Sequence, residues 1–322
     1  MIQVQQADTF GNWGETTIAR YFSQIVKYES TVLKDKDTKA LEQMCVALEN
    51  FRSAIALFIP ALILPPTISE KKISKITKPL SKLREIDILQ ETLVTKYQFN
   101  LPSKEEKILK KLQKYLKQKR KEVGKKIRKT LKSNTYRQFK QDLQDWLEQP
   151  KYTILGAIAI EEILPDLLSI QISQLLMNPG WLLGTTIITE EIYLQENLDR
   201  TTIEKIITSQ KETIDDLYQE LRQSYKILEL FPQFYSNIYR EYLDKIYRTQ
   251  KTLNAIQKTL ILSEYLTKIL SNKKTHKIHT ITNNLQKIRY HNWQEWLKLQ
   301  AVFCDYQKRQ ELRSILQYPR IK

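Results

Sequence analysis

The sequence predicts an all-α protein built from duplicated antiparallel helical bundles with pseudo-two-fold symmetry. Three observations predict it. Apolar residues recur at three- and four-residue steps along nearly all of the 322 residues, the spacing of one face of an α-helix. Only 6 glycines are present, a share below about 2% against a usual ~7%, which leaves almost nothing for hairpin turns or phosphate-cradling loops. An ungapped self-similarity at a constant offset of 173 residues links two halves of the chain. In it Ile55, Leu57 and Phe58 fall on Leu228, Leu230 and Phe231, Leu80, Leu83 and Leu89 on Leu253, Ile256 and Leu262, and Glu91 and Leu93 on Glu264 and Leu266. Rossmann, P-loop and most β-rich folds are disfavoured from the outset.

Helices are expected in order near 14–33, 38–60, 69–97, 103–132, 134–148, 155–178, 201–231, 234–271, 275–290 and 291–316, and no segment alternates as a strand. Their limits are set by Pro60 and Pro65-Pro66, Asn100-Leu101-Pro102, Gln149-Pro150, Asn178-Pro179-Gly180, Pro232 and Ser271-Asn272. Each half repeats a helix-proline-helix hairpin, so residues 1–155 and 156–322 read as two related helical halves of one domain. The apolar runs 53–64 and 152–189 are expected in the core. The first is too short to span a bilayer, and the second is interrupted by Glu161, Glu162, Pro165 and Asp166. Cys45 and Cys304 are too few for a disulfide framework or a cysteine metal site, which fits a reducing compartment. The opening MIQVQQADTFGNW lacks a signal-peptide pattern, so a cytoplasmic location is expected.

Charge is unevenly placed. The chain carries 52 basic and 36 acidic side chains, a net +16, of which residues 101–140 alone contribute 16 basic against 3 acidic groups. Residues 145–220 carry 4 basic against 14 acidic, and 221–322 carry 19 against 7. The stretch 103–132 reads as one helix of about 45 Å: Ile108, Leu112, Tyr115, Leu116, Val123, Ile127 and Leu131 form its apolar face, and Ser103 with Glu105 and Glu106 forms its start. Its other faces hold Lys107, Lys110, Lys111, Lys114, Lys117, Lys121, Lys125, Arg128, Lys129 and Lys132. A helix whose lysines only confer solubility interleaves signs, whereas one so one-sided repels itself unless a polyanion is near.

Enzymatic and metal chemistry find little support. Asp215-Asp216 with Glu220 could place carboxylates on one helix face for magnesium, but no second acidic cluster is visible to oppose them. Glu161-Glu162 with Asp166 is an equally weak metal candidate, and Glu190-Glu191 reads as a helix start. His276 and His279 stand among Lys273, Lys274 and Lys277, surroundings that disfavour a cation, and His291 is isolated. Cys45 reads as a buried small hydrophobe, and Trp293, Trp296, Phe303 and Tyr306 as a core stripe before a base-stacking platform.

Several segments resemble the conserved histidine α-helical domain, CHAD. They are residues 35–58 (DKDTKALEQMCVALENFRSAIALF), 80–89 (LSKLREIDIL) and the second copy at 214–231 (IDDLYQELRQSYKILELF). Residues 136–152 (YRQFKQDLQDWLEQPKY) and 164–184 (LPDLLSIQISQLLMNPGWLLG) are similar to a bacterial branch of it, and the resemblance extends from Phe10 to about Leu270. It implies two four-helix bundles, no catalytic activity, and inorganic polyphosphate bound in a basic channel between the bundles. No Glu-x-Glu-x-Lys signature of the triphosphate-tunnel domain often fused to such proteins occurs, so a stand-alone member is expected.

The chemistry departs from the family pattern. Where the family places a histidine followed by arginines three, seven, eight and ten residues on, this chain has Glu42, Cys45, Glu49, Asn50 and Arg52. In the second copy the histidine position is Asp215, followed by Tyr218, Gln219, Arg222, Gln223 and Tyr225, and a third family histidine is Asn178. Each lost basic contact removes a charge-assisted hydrogen bond of roughly 1.5–3 kcal/mol. Basic residues remaining near that face are Lys71, Lys72, Lys75, Lys78, Lys82 and Arg84, then Arg240, Lys245, Arg248, Lys251 and Lys258.

The reading is therefore a non-enzymatic polyanion binder without cofactor or metal, with inorganic polyphosphate as first candidate. The residues expected to bind are Arg52, Lys71, Lys75, Lys78, Lys82, Arg84, Arg222, Arg240, Lys245 and Arg248, with Lys107, Lys111 and Lys114 from the lysine helix. Two rivals stand beside it: an RNA-binding helical protein, and a protein-interaction scaffold that has lost polyphosphate binding.

Overall fold

Apolar periodicity becomes helix almost wherever it occurs, and side-chain caps fix where the helices begin. The computed structural model describes residues 8–35, 37–96, 101–270 and 278–319. Its helices are α1 (Phe10–Lys34), α2 (Thr38–Phe58), α3 (Glu70–Lys96), α4 (Ser103–Leu131), α5 (Asn134–Glu148), α6 (Ile160–Met177), α7 (Arg200–Ser209), α8 (Lys211–Leu228), α9 (Asn237–Leu270), α10 (His279–Cys304) and α11 (Tyr306–Gln317). Thr9, Asp37, Ser133, Asp199 and Asp305 each accept a hydrogen bond from the first turn of the helix that follows, satisfying donors that would otherwise be orphaned. Among the described residues the fold is all-α apart from one short hairpin. No helix among the described residues is long and apolar enough to cross a membrane.

Contacts divide the chain into two compact units. The first holds α1, α2, α3, α4 from Gln113 onward and α5; the second holds α4 up to Leu112, nearly all of α6 and every later element. In the first unit α1 lies along α2, and α2 along α3. Its core is aromatic at the centre: Phe139 of α5 meets Phe22 and Phe51 edge-on at 6.4 and 5.8 Å and stacks with Tyr136. Two short backbone pairings fasten the connections, Thr9 against Ala159 and Leu62 against Tyr152. Gly156 is required at the second of these, because a β-carbon there would stand 2.6 Å from the Ala61 carbonyl oxygen.

In the second unit α9 packs against α8 and α10. Trp181, on a 3-10 turn at Pro179–Leu182, stacks on Trp296 at 5.4 Å and Phe303 at 4.5 Å. Gln300 fixes that turn by donating to the carbonyls of Trp181 and Leu183. The Arg289 guanidinium of α10 is buried and makes two bonds of 2.8 and 2.6 Å to Glu204 of α7, with Thr259 as a further acceptor. Glu105 was expected to favour the start of its own helix; it is buried, and its carboxylate accepts the N–H groups of Thr280 and Ile281, capping α10. α8 begins 173 residues after α2, and α9 ends 174 after α3.

Four expectations are corrected. Thr185–Ile188 (β1) and Glu191–Leu194 (β2) form an antiparallel hairpin, so Glu190-Glu191 is not a helix start. Thr189 and Glu190 turn the chain at φ of 50° and 67°, doing without glycine what two-residue hairpin loops require of it. The segment 201–231 is two helices, divided at Gln210. The expected break between 290 and 291 is absent: α10 runs through it on buried Leu285, Arg289, Trp293 and Trp296, and ends at Asp305, which caps α11. Tyr306 is consequently exposed, outside the stripe of Trp293, Trp296 and Phe303.

Candidate functional site

Helical geometry sorts the basic residues of the first unit into two groups with different fates. On α3, Lys71, Lys75, Lys78 and Lys82 follow one another at i, i+4, i+7 and i+11, one exposed face opposite buried Ile73, Ile76, Leu80 and Leu83. Lys82 bonds Glu85 at 2.6 Å, and Lys72 is half-buried at the margin. Arg84, expected in this group, is not on the same face. Two residues beyond Lys82 is about 200° around the helix, and its guanidinium reaches Glu42 of α2 at 3.0 Å and Glu49 at 3.9 Å. Arg52 of α2 is likewise taken, by Glu70 at 2.8 Å.

The lysine helix supplies the most extended cationic surface. From Gln113 onward α4 buries Leu116, Ile127 and Leu131 and exposes Lys114, Lys117, Lys121, Lys125 and Lys129 at i, i+3, i+7, i+11 and i+15, a stripe of about 22 Å. None of the five has an ion-pair partner among the described residues. The carboxylates nearby are engaged elsewhere: Glu122 with Lys119 at 2.8 Å, and Asp35 and Asp87 with Arg120 at 2.9 and 2.6 Å. Lys107 and Lys111 are exposed on the first turns of the same helix, which belong to the second unit.

The remaining candidates of the second unit are not gathered into a comparable face. Arg240 and Arg248 are exposed on α9 with Glu241 and Asp244 interspersed, Lys245 lies over the Tyr242 ring at 4.6 Å, and Arg222 is half-exposed on α8. His279 opens α10 in solvent and His291 is exposed; His276 lies outside the described residues. Among the described residues no group of three or more His, Cys, Asp or Glu side chains is placed to hold a metal ion.

At several of the positions that the resemblance sets against the family's basic residues, the side chains serve the scaffold. Cys45 is fully buried, Asn178 caps the turn that carries Trp181 by accepting from Gly180, and Tyr225 rests against Tyr247 while donating to Glu229. Asp215 accepts from Gln257 at 2.6 Å; Glu220, which is not one of these positions but was weighed with Asp215 as a magnesium ligand, accepts from Gln171 at 2.9 Å. Burial holds the Asp215 carboxyl above the usual aspartate range, against the lowering effect of Gln257. A carboxyl raised in the folded state contributes stability that is present below its unfolded pKa and lost as pH rises through the folded one. Asp215→Asn is therefore expected to raise the melting temperature more at pH 7 than at pH 4, and equal shifts at the two pH values would contradict this.

Two clefts lie beside these positions, one inside each unit. The first, about 590 Å³, is lined by the start of α2, the end of α3 and Arg120. The second, about 430 Å³, is lined by Thr208, Lys211, Leu260, Ser263, Glu264, Thr267 and Lys268. Subtracting 173 from those seven numbers gives Asp35, Thr38, Asp87, Gln90, Glu91, Val94 and Thr95, every one of which lines the first cleft. In both clefts cations are held by acids: Arg84 and Arg120 in the first, and Lys211 by Glu264 in the second. No local pattern announces these pairings, since Glu42 and Arg84 are 42 residues apart and Lys211 and Glu264 are 53 apart.

Comparison with known proteins places the chain. Residues 16–267 match the family model of the CHAD domain, and the protein belongs to that family. Among solved structures it is similar to the CHAD domain from the plant Ricinus communis, at 16% identity over 99% of this chain and 96% of that one, with a TM-score of 0.62. It is also similar to PptA from Streptomyces chartreusis, at 9% identity over 95% of this chain and 100% of that one, with a TM-score of 0.53. At these identities the likeness is one of fold. A search of curated proteins found no match.

Proposed function

We propose that this CHAD protein is a non-enzymatic polyanion binder whose first ligand is inorganic polyphosphate, held along the exposed lysines of α4 and α3. The observation that carries this reading is the contrast between cations. Lys114, Lys117, Lys121, Lys125 and Lys129 are exposed and unpaired among the described residues, whereas Arg52 and Arg84, near the family's motif, are each bonded to a carboxylate. Membership of a family linked to polyphosphate binding supplies the ligand class. Five lysine–phosphate contacts give a salt slope of about −3.5 on the single-strand value, so affinity falls about a hundredfold between 50 and 200 mM salt.

RNA is the weaker reading, because single-stranded RNA is gripped by stacking its bases on exposed aromatic rings. Trp293, Trp296 and Phe303 are buried, and α4 offers only half-buried Tyr115 beside its lysines. Competition between short-chain polyphosphate and single-stranded RNA of matched charge, followed by fluorescence anisotropy across salt, tests the choice. Displacement of RNA by polyphosphate at equal phosphate concentration is expected. RNA binding that polyphosphate fails to displace would overturn the reading.

A further inference from the structure

We infer that Glu42 and Glu70 act as internal anions that hold Arg84 and Arg52 out of the polyanion-binding set, so that these carboxylates set how tightly the first unit binds polyphosphate. The inference rests on the polyphosphate reading above and deepens it. Both guanidinium groups lie on the α2–α3 pair of helices, Arg52 on α2 answered by Glu70 of α3, and Arg84 on α3 answered by Glu42 of α2. Neither arginine is fully satisfied. Arg52 Nε and Arg84 Nε are buried N–H donors with no acceptor among the described residues. A buried arginine whose donors were all matched would be a structural strut, as Arg289 is with Glu204 and Thr259. Arg52 and Arg84 instead leave Nε unmatched and turn their outer nitrogens to carboxylates that are the more solvent-exposed members of each close pair: 79% for Glu70 and 49% for Glu42, against 35% and 21% for the arginines; half-buried Glu49 lies farther from Arg84, at 3.9 Å.

The physical consequence follows from how weakly such pairs are held. An ion pair with one exposed carboxylate contributes little, because water screens it and both side chains lose freedom in making it. A phosphate chain can offer each guanidinium a doubly bonded, charge-assisted contact in place of the single bond each now makes to one carboxylate oxygen. Yet an unreleased carboxylate at the same spot repels the incoming anion.

The test is polyphosphate binding by Glu42→Gln/Glu70→Gln, compared with wild type and with the charge-matched control Glu148→Gln/Glu196→Gln, whose carboxylates are exposed elsewhere. Both partner carboxylates are solvent-accessible, so the fold is expected to survive, and circular dichroism checks it. Recruiting two arginines steepens the salt slope by about 1.4 and raises affinity roughly tenfold or more at 0.1 M salt. The control should change little, and adding Arg52→Ala and Arg84→Ala should remove the gain. If wild type binds and the Glu42→Gln/Glu70→Gln variant matches its control, this inference fails while the polyphosphate reading stands. If only the variant binds, the inference stands and the native protein is not a polyphosphate binder. Absence of binding by every form overturns both.

Discussion

Replacing Glu204 by alanine is expected to destabilise the second unit by roughly 3–5 kcal/mol, the cost of stranding a buried guanidinium without its carboxylate. Arg289 is only 3% exposed and spends two of its nitrogens on Glu204, at 2.8 and 2.6 Å; the hydroxyls of Thr259 and Ser263 at 3.1 and 3.4 Å can solvate the charge but not neutralise it. The cost is specific to burial. Lys298 and Glu295 form an equally short contact of 2.6 Å one turn apart on the surface of α10, and Lys298→Ala should cost no more than about 0.5 kcal/mol. Urea unfolding of the two variants against wild type checks the contrast. A loss below about 1 kcal/mol for Glu204→Ala would mean that the Arg289 pair is not holding α7 to α10.

The second large effect concerns binding. Lys114→Ala/Lys117→Ala/Lys121→Ala/Lys125→Ala is expected to flatten the salt slope for polyphosphate by about 3 and to weaken binding by two to three orders of magnitude near 0.1 M salt. All four side chains are exposed on α4, and alanine is the best helix former, so the helix itself should be unharmed. The same number of alanines at Lys205, Lys287, Lys298 and Lys308, exposed in the second unit, is expected to have a far smaller effect. Equal losses from the two sets would show that net charge, not the α4 stripe, governs the interaction.

What could be read from the sequence was what is written locally. The α4 stripe was legible because apolar and basic residues alternate faces within a few turns, and Leu112, Leu116, Ile127 and Leu131 are indeed its buried side. The β1–β2 hairpin was missed because its turn uses Thr189 and Glu190 where glycine or asparagine is usual. The signal that could have found it is Thr185-Thr-Ile-Ile followed by Glu191-Ile-Tyr-Leu, two runs of strand-favouring residues in a chain otherwise patterned for helix. Arg289 was invisible as a core residue, since an arginine between Ile288 and Tyr290 reads as surface until Glu204 is seen to face it. For the same reason the sequence placed Arg84 with the lysines of α3. Its carboxylate partners come from another helix, and nothing in the local pattern announces them.

Placement of the ligand on α4 and α3 is the claim on which the account turns, and amine acetylation read by mass spectrometry tests it directly. Polyphosphate added near physiological salt is expected to protect Lys114, Lys117, Lys121 and Lys125 on α4, with Lys71, Lys75 and Lys78 on α3, while Lys205 and Lys298 react as in the free protein. Unchanged reactivity along α4 with saturating polyphosphate, or protection confined to lysines of the second unit, would contradict it.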